Sequence, residues 1–114
     1  MALKMTDRVV DGVAVVAMEG RIVLGEESTS LREKVKSLLA SGQKKIVLNM
    51  DNVTYIDSSG LGELVSAYTT SKNQGASLKL LSLTKKVKDV LQLTKLYTVF
   101  DIYDDEASAI ASYK

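Results

Sequence analysis

Two strand-like runs, one continuously apolar and one leucine-rich, each followed by a helical stripe, constrain the fold of this chain more than any other feature. Ile46-Val47-Leu48 is continuously apolar and precedes Leu61, Leu64, Val65 and Tyr68 at helical spacing. Leu78-Lys79-Leu80-Leu81 precedes Val87, Val90, Leu91 and Thr94 at the same kind of spacing. A strand that is apolar throughout must be covered, and a helix that follows it directly can cover it. Strand-helix alternation of this kind gives parallel strands joined by right-handed crossovers.

The start of the chain departs from the alternation. Arg8-Val9-Val10 and Val13 to Met18 flank Asp11-Gly12, a dipeptide that favours a two-residue type I′ turn, so a hairpin opens the fold. Gly20 to Gly25 is a connection with some strand character at Ile22 and Val23. Leu31, Val35, Leu38 and Leu39 then define a first helix, which Gly42 ends; Gly25 can precede it, and Ser28, Thr29 or Ser30 can cap it. Asp51-Asn52 is expected to break the strand that starts at Lys45. Asp57 is a good N-cap for a second helix running to about Asn73, before Gln74-Gly75. Thr84 caps a third helix, Val99 to Tyr103 forms a short final strand, and the acids Asp104-Asp105-Glu106 open a closing helix. The order is ββαβαβαβα. The expectation is one α/β domain over residues 1–114, with a mixed β-sheet packed with helices and no linker or repeat.

Composition narrows the chemistry. His and Cys are absent, which removes the usual general base, the commonest metal ligand and all thiol chemistry. A formal charge of +1 provides no basic field for nucleic acid. No apolar run approaches the length of a membrane span, so direct membrane insertion is not expected. Met1 to Arg8 lacks the apolar core of a signal peptide. A cytoplasmic protein is expected.

The stretch Tyr55-Ile56-Asp57-Ser58-Ser59-Gly60-Leu61-Gly62 concentrates small polar residues where a helix opens toward solvent. Its enzyme readings are weak. A phosphate-cradling loop needs GxxxxGK[ST], and Gly60-Leu61-Gly62 is only part of a dinucleotide fingerprint in a chain with 7 glycines. A nucleophilic serine needs a base within reach, and a G-x-S-x-G elbow would need glycine where Ile56 or Asp57 stands. Capping by Asp57 and the serines accounts for much of the stretch. Two glycines crowding the first turn are less well explained by capping, and they lower the side-chain wall around the hydroxyls.

Asp57-Ser58-Ser59-Gly60-Leu61-Gly62, with the preceding Ile46 to Met50 run and the amphipathic helix behind it, resembles the signature of STAS domains, specifically the bacterial anti-sigma factor antagonists. The resemblance covers nearly the whole chain. It implies a binding protein without cofactor or catalytic residues. The unphosphorylated form would bind an anti-sigma factor that is also a serine kinase, and a serine phosphatase would restore that form after modification. The acceptor it implies is Ser58, with Ser59 as runner-up, and the partner surface is Asp57, Ser58, Ser59, Gly60, Leu61 and Gly62. Helical-wheel geometry, in contrast, makes Ser59 the more exposed hydroxyl. One departure is Val23, which stands where many relatives carry an acid after the Gly20 loop; Glu26 or Glu27 is the nearest substitute. Alternatives to the switch are a non-switching STAS scaffold, in a stress-signalling assembly or a lipid transporter, and nucleotide binding at the glycine turn. Lys85, Lys86 and Lys88 read as a solvated helix face, Tyr55 and Tyr68 as core or rim, and Tyr97, Phe100 and Tyr103 as anchors of the last strand.

Overall fold

The computed structural model describes residues 3–113 of the chain, the side chain of Glu27 excepted. The termini of the expected domain and the suggestion that Glu27 replaces the missing acid therefore lie outside the described residues. The elements are β1 (Lys4–Val10), β2 (Val13–Ile22), α1 (Glu26–Ala40), β3 (Lys45–Ile56), α2 (Ser58–Asn73), β4 (Ser77–Leu81), α3 (Lys85–Leu93), a 3-10 turn (Leu96–Thr98), β5 (Ile102–Tyr103) and α4 (Glu106–Ala111). The sheet order is β1-β2-β3-β4-β5. β1 and β2 pair antiparallel, and every later pairing is parallel. The hairpin and the alternation are as the sequence implies. Asp11 and Gly12 both take positive φ, 52° and 79°, as a type I′ turn requires.

The sheet divides the core in two because successive strand residues face opposite sides. Ala14, Val16 and Met18 of β2 join Ile46 and Leu48 of β3 in a large core covered by α1, α2 and α3. Val13, Val15, Val47 and Leu81 form a smaller core on the other face, closed by Ala109 and Ile110 of α4. Tyr113 fastens that end, its hydroxyl lying 2.8 Å from the carbonyl oxygens of both Ile46 and Ser77.

Two strand boundaries differ from expectation. Asp51-Asn52 does not break β3, which continues to Ile56. From Ala17/Asn49 to Glu19/Asn52, two steps along β2 match three along β3, and from Gly20/Val53 to Arg21/Tyr55 one step matches two. Each shift is a bulge that places an extra residue in β3, and the Asn49 side chain accepts a hydrogen bond from the Asp51 N–H at 3.0 Å inside the first one. The bulges reset the strand's phase, so Met50, Val53 and Ile56 are all buried although they recur every third residue. A polar pair in a bulge reads as a strand break when alternation is the only guide. β2 likewise extends to Ile22 instead of giving way to a loop at Gly20, because its end pairs with the same bulged stretch. The final strand is only Ile102–Tyr103, with Val99 and Phe100 outside it. Among the described residues, no helix is long and apolar enough to cross a membrane.

Candidate functional site

β3 delivers the chain to the site by burying Ile56, and α2 begins two residues later. Asp57 between them is the N-cap. Its Oδ1 accepts from the Gly60 N–H at 2.8 Å, and its Oδ2 accepts from the Leu24 N–H at 3.0 Å. Its own N–H donates to the Ile22 carbonyl at 3.2 Å. One residue thus caps α2 and ties the β2-α1 loop to it. The Gly60 N–H, followed by the Leu24 N–H, stabilises the ionised carboxylate and holds its pKa below the ordinary aspartate value.

Gly60 is the second tie. A Cβ built on it would lie 1.9 Å from the Ile22 carbonyl oxygen, so only glycine lets the first turn of α2 seat against the end of β2. Gly62 is different: a Cβ there meets nothing within 4 Å. The expectation that both glycines lower the wall around the hydroxyls therefore holds for Gly62 alone. Gly60 answers to packing.

The two serines are also unequal, in the opposite sense to the helical-wheel expectation. Ser58 is exposed and Ser59 is half-buried. Ser59 shares a stripe at spacings of four, three and four with Glu63, Ser66 and Thr70, and the last three line a cleft against Arg32, Val35 and Lys36 of α1. A wheel drawn for α2 alone omits α1, which stands over Glu63, Ser66 and Thr70 of that stripe. Across the cleft the Arg32 guanidinium grips Glu63 with two hydrogen bonds, one of them Nε to Oε1 at 3.2 Å. This bond to Glu63 and the charge of its carboxylate raise the Arg32 pKa further.

The six residues implied as partner-binding thus separate into a surface and a foundation. Ser58, Gly62 and part of Ser59 face solvent. Leu61, 8% exposed, and Gly60 point into the core, and both Asp57 carboxylate oxygens are engaged within the chain. Two neighbours of the surface are absent from the implied set. Leu24 is 73% exposed in the loop held by Asp57, and Tyr55 is 39% exposed just before the cap, with the Lys86 Nζ 5.7 Å from its ring centroid. Leu24 carries a readable signal, an isolated leucine in a loop with no strand or helix periodicity to bury it. Thr84 brings α3 to this end of the sheet, accepting from the Val87 N–H at 3.5 Å and donating to the Val53 carbonyl at 3.0 Å. Lys85, Lys86 and Lys88 form a solvated face. Of the three late aromatics, Phe100 is buried with its ring edge-on to Tyr68 at 5.3 Å, whereas Tyr97 is half exposed in the 3-10 turn and lines a surface pocket together with Ile102 of β5.

The turn presents a hydroxyl without a nucleophile-base pair. An exposed hydroxyl sits in the first turn of a helix, where N–H groups lack helical partners and the dipole favours negative charge. No base stands in hydrogen-bond contact with it among the described residues.

Comparison with known proteins agrees with this geometry. The STAS domain family profile matches residues 4–109. The anti-sigma F factor antagonist of Paenibacillus polymyxa is 27% identical over 100 residues, covering 87% of this chain and 85% of the relative. The anti-sigma-B factor antagonist of Listeria monocytogenes is 33% identical over 88 residues, covering 74% of this chain and 77% of the relative. The crystal structure of a candidate anti-sigma factor antagonist from Thermotoga maritima superposes with a TM-score of 0.87 at 28% identity, covering 95% of this chain and 92% of that one. On the profile match, the relatives and the shared architecture, the chain belongs to the STAS domain family and groups within it with the anti-sigma factor antagonists.

Proposed function

We propose that the protein is an anti-sigma factor antagonist, a binding protein that sequesters an anti-sigma factor while Ser58 is unphosphorylated and releases it once Ser58 carries a phosphate. The observation that carries this reading is the placement of Ser58: exposed, in the first turn of α2, on a turn whose foundation is fixed by Asp57 and Gly60. The names of the Paenibacillus and Listeria relatives support the choice of partner.

The covalent step is phosphoryl transfer by the partner kinase. The Ser58 Oγ attacks the γ-phosphorus of ATP, the bond to the ADP oxygen breaks, the hydroxyl proton goes to a base on the kinase, and ADP leaves. A serine phosphatase reverses the state by hydrolysis. Phosphate adds about −1.5 to −2 charges, and the helix N-terminus accommodates them, so the fold survives modification. The interface is affected differently. An uncompensated charge buried beside Asp57 costs about 2–5 kcal/mol, a loss of affinity from about 30-fold to several thousand-fold.

Incubation with the cognate kinase and ATP, followed by peptide mass spectrometry, tests the acceptor: phosphate is expected on Ser58, and its absence from both Ser58 and Ser59 would sink the switch. Ser58→Ala is expected to hold the anti-sigma factor in the presence of ATP, and Ser58→Asp to bind it weakly.

A further inference from the structure

Ser58 and Ser59 are adjacent, yet the residues one helical turn below them are chemically opposite. Four residues on from Ser58 is Gly62, exposed and with empty space where a side chain would be. Four residues on from Ser59 is Glu63, whose side chain is only 11% exposed and is held in a two-bond grip by Arg32 of α1. Side chains four apart on a helix are neighbours, with about 5–6 Å between their Cβ atoms. A phosphate on Ser59 would therefore sit above a carboxylate. A phosphate on Ser58 would sit above nothing.

We propose that the Arg32–Glu63 pair determines which serine can carry the phosphate, with Glu63 occupying the guanidinium that a phosphate on Ser59 would need. This inference rests on the reading that the turn is phosphorylated and adds the residues that confine the modification. The guanidinium fork is the group best shaped to take a phosphate in two hydrogen bonds, and here both bonds go to Glu63. Lys36 lines the same cleft but lies one turn along α1 from Arg32. A phosphate on Ser59 must either face Glu63 as a like charge or pull Arg32 away and leave Glu63 without its partner. Both outcomes destabilise, and neither arises at Ser58.

Opposite responses to the two partners distinguish this pairing effect from exposure alone. Neutralising Glu63 frees Arg32 for the phosphate, so Glu63→Gln relieves the penalty at Ser59. Removing Arg32 leaves Glu63 facing the phosphate without compensation, so Arg32→Gln deepens it. Ser58 is indifferent to both. If exposure alone set the choice, neither substitution would matter.

The test installs phosphoserine at position 58 or 59 during translation, in the parent, Glu63→Gln and Arg32→Gln backgrounds, and compares thermal midpoints with the unmodified protein of each background. Phosphoserine at 59 is expected to lower the midpoint in the parent, less in Glu63→Gln and more in Arg32→Gln, while phosphoserine at 58 gives the same small change in all three. A second arm maps kinase-added phosphate: Glu63→Gln is expected to raise the share on Ser59 several-fold. Equal tolerance of the two phosphoserines in the parent, or a Ser59 penalty untouched by Glu63→Gln, overturns the inference. A parent protein that the kinase leaves unmodified overturns the phosphoswitch instead, and the melting comparison still decides the role of the pair.

Discussion

Gly60 and Gly62 lie two residues apart in the same helical turn and have opposite surroundings. One faces the Ile22 carbonyl so closely that no side chain fits, and the other faces open space. The same division runs through the whole turn. Asp57, Gly60 and Leu61 hold α2 against the ends of β2 and β3, while Ser58 and Gly62 are left to the surface. A short signature that looks like one functional unit is half foundation and half exposed surface. Only the second half can change its chemistry without moving the fold.

The strongest way to break that comparison is to place the same methyl group at both glycines. Gly60→Ala drives a Cβ into backbone that cannot rotate away, so it is expected to lower stability by about 3 kcal/mol or more, at the upper end of overpacking costs. Chemical denaturation measures it, and a change below about 1 kcal/mol would show that the seat on Ile22 is loose. Asp57 gives an intermediate and pH-dependent effect. Because the folded-state pKa of Asp57 is lowered by the Gly60 and Leu24 N–H groups, its contribution is fully present above the ordinary aspartate pKa of about 4. That contribution is lost as pH falls through the lowered folded value. Asp57→Asn is expected to reduce stability at neutral pH and to flatten the acid limb of a stability-pH profile. An unchanged acid limb would remove Asp57 from the foundation. Gly62→Ala has the smallest effect and the opposite sign to Gly60→Ala: with helical backbone and no neighbour to displace, it is expected to raise stability by about 0.5–1 kcal/mol.

The division was only partly legible in the sequence. Asp57, Thr84 and the Asp11-Gly12 turn could be placed because caps and two-residue turns act over a few residues, within the range of local pattern. Gly60 could not be assigned, since its constraint is the Ile22 carbonyl at the end of another strand. The exposures of Ser58 and Ser59 are the reverse of the wheel's for the same kind of reason: α1 packs along the stripe that Ser59 heads, at Glu63, Ser66 and Thr70, and a single-helix wheel contains no second helix. Asp51 and Asn52 hid the continuity of β3, because bulges that realign Met50, Val53 and Ile56 with the core erase the alternation by which strands are recognised.

The separation of foundation from surface comes down to a single affinity. Titration calorimetry of the cognate anti-sigma factor against the unmodified protein and against protein carrying phosphoserine at position 58 measures it directly, with circular dichroism on both forms to compare the folds. Weakening by about 30-fold or more, with superimposable spectra, is the predicted result. Equal affinity for the two forms, or a loss of affinity accompanied by loss of helix, would contradict the account.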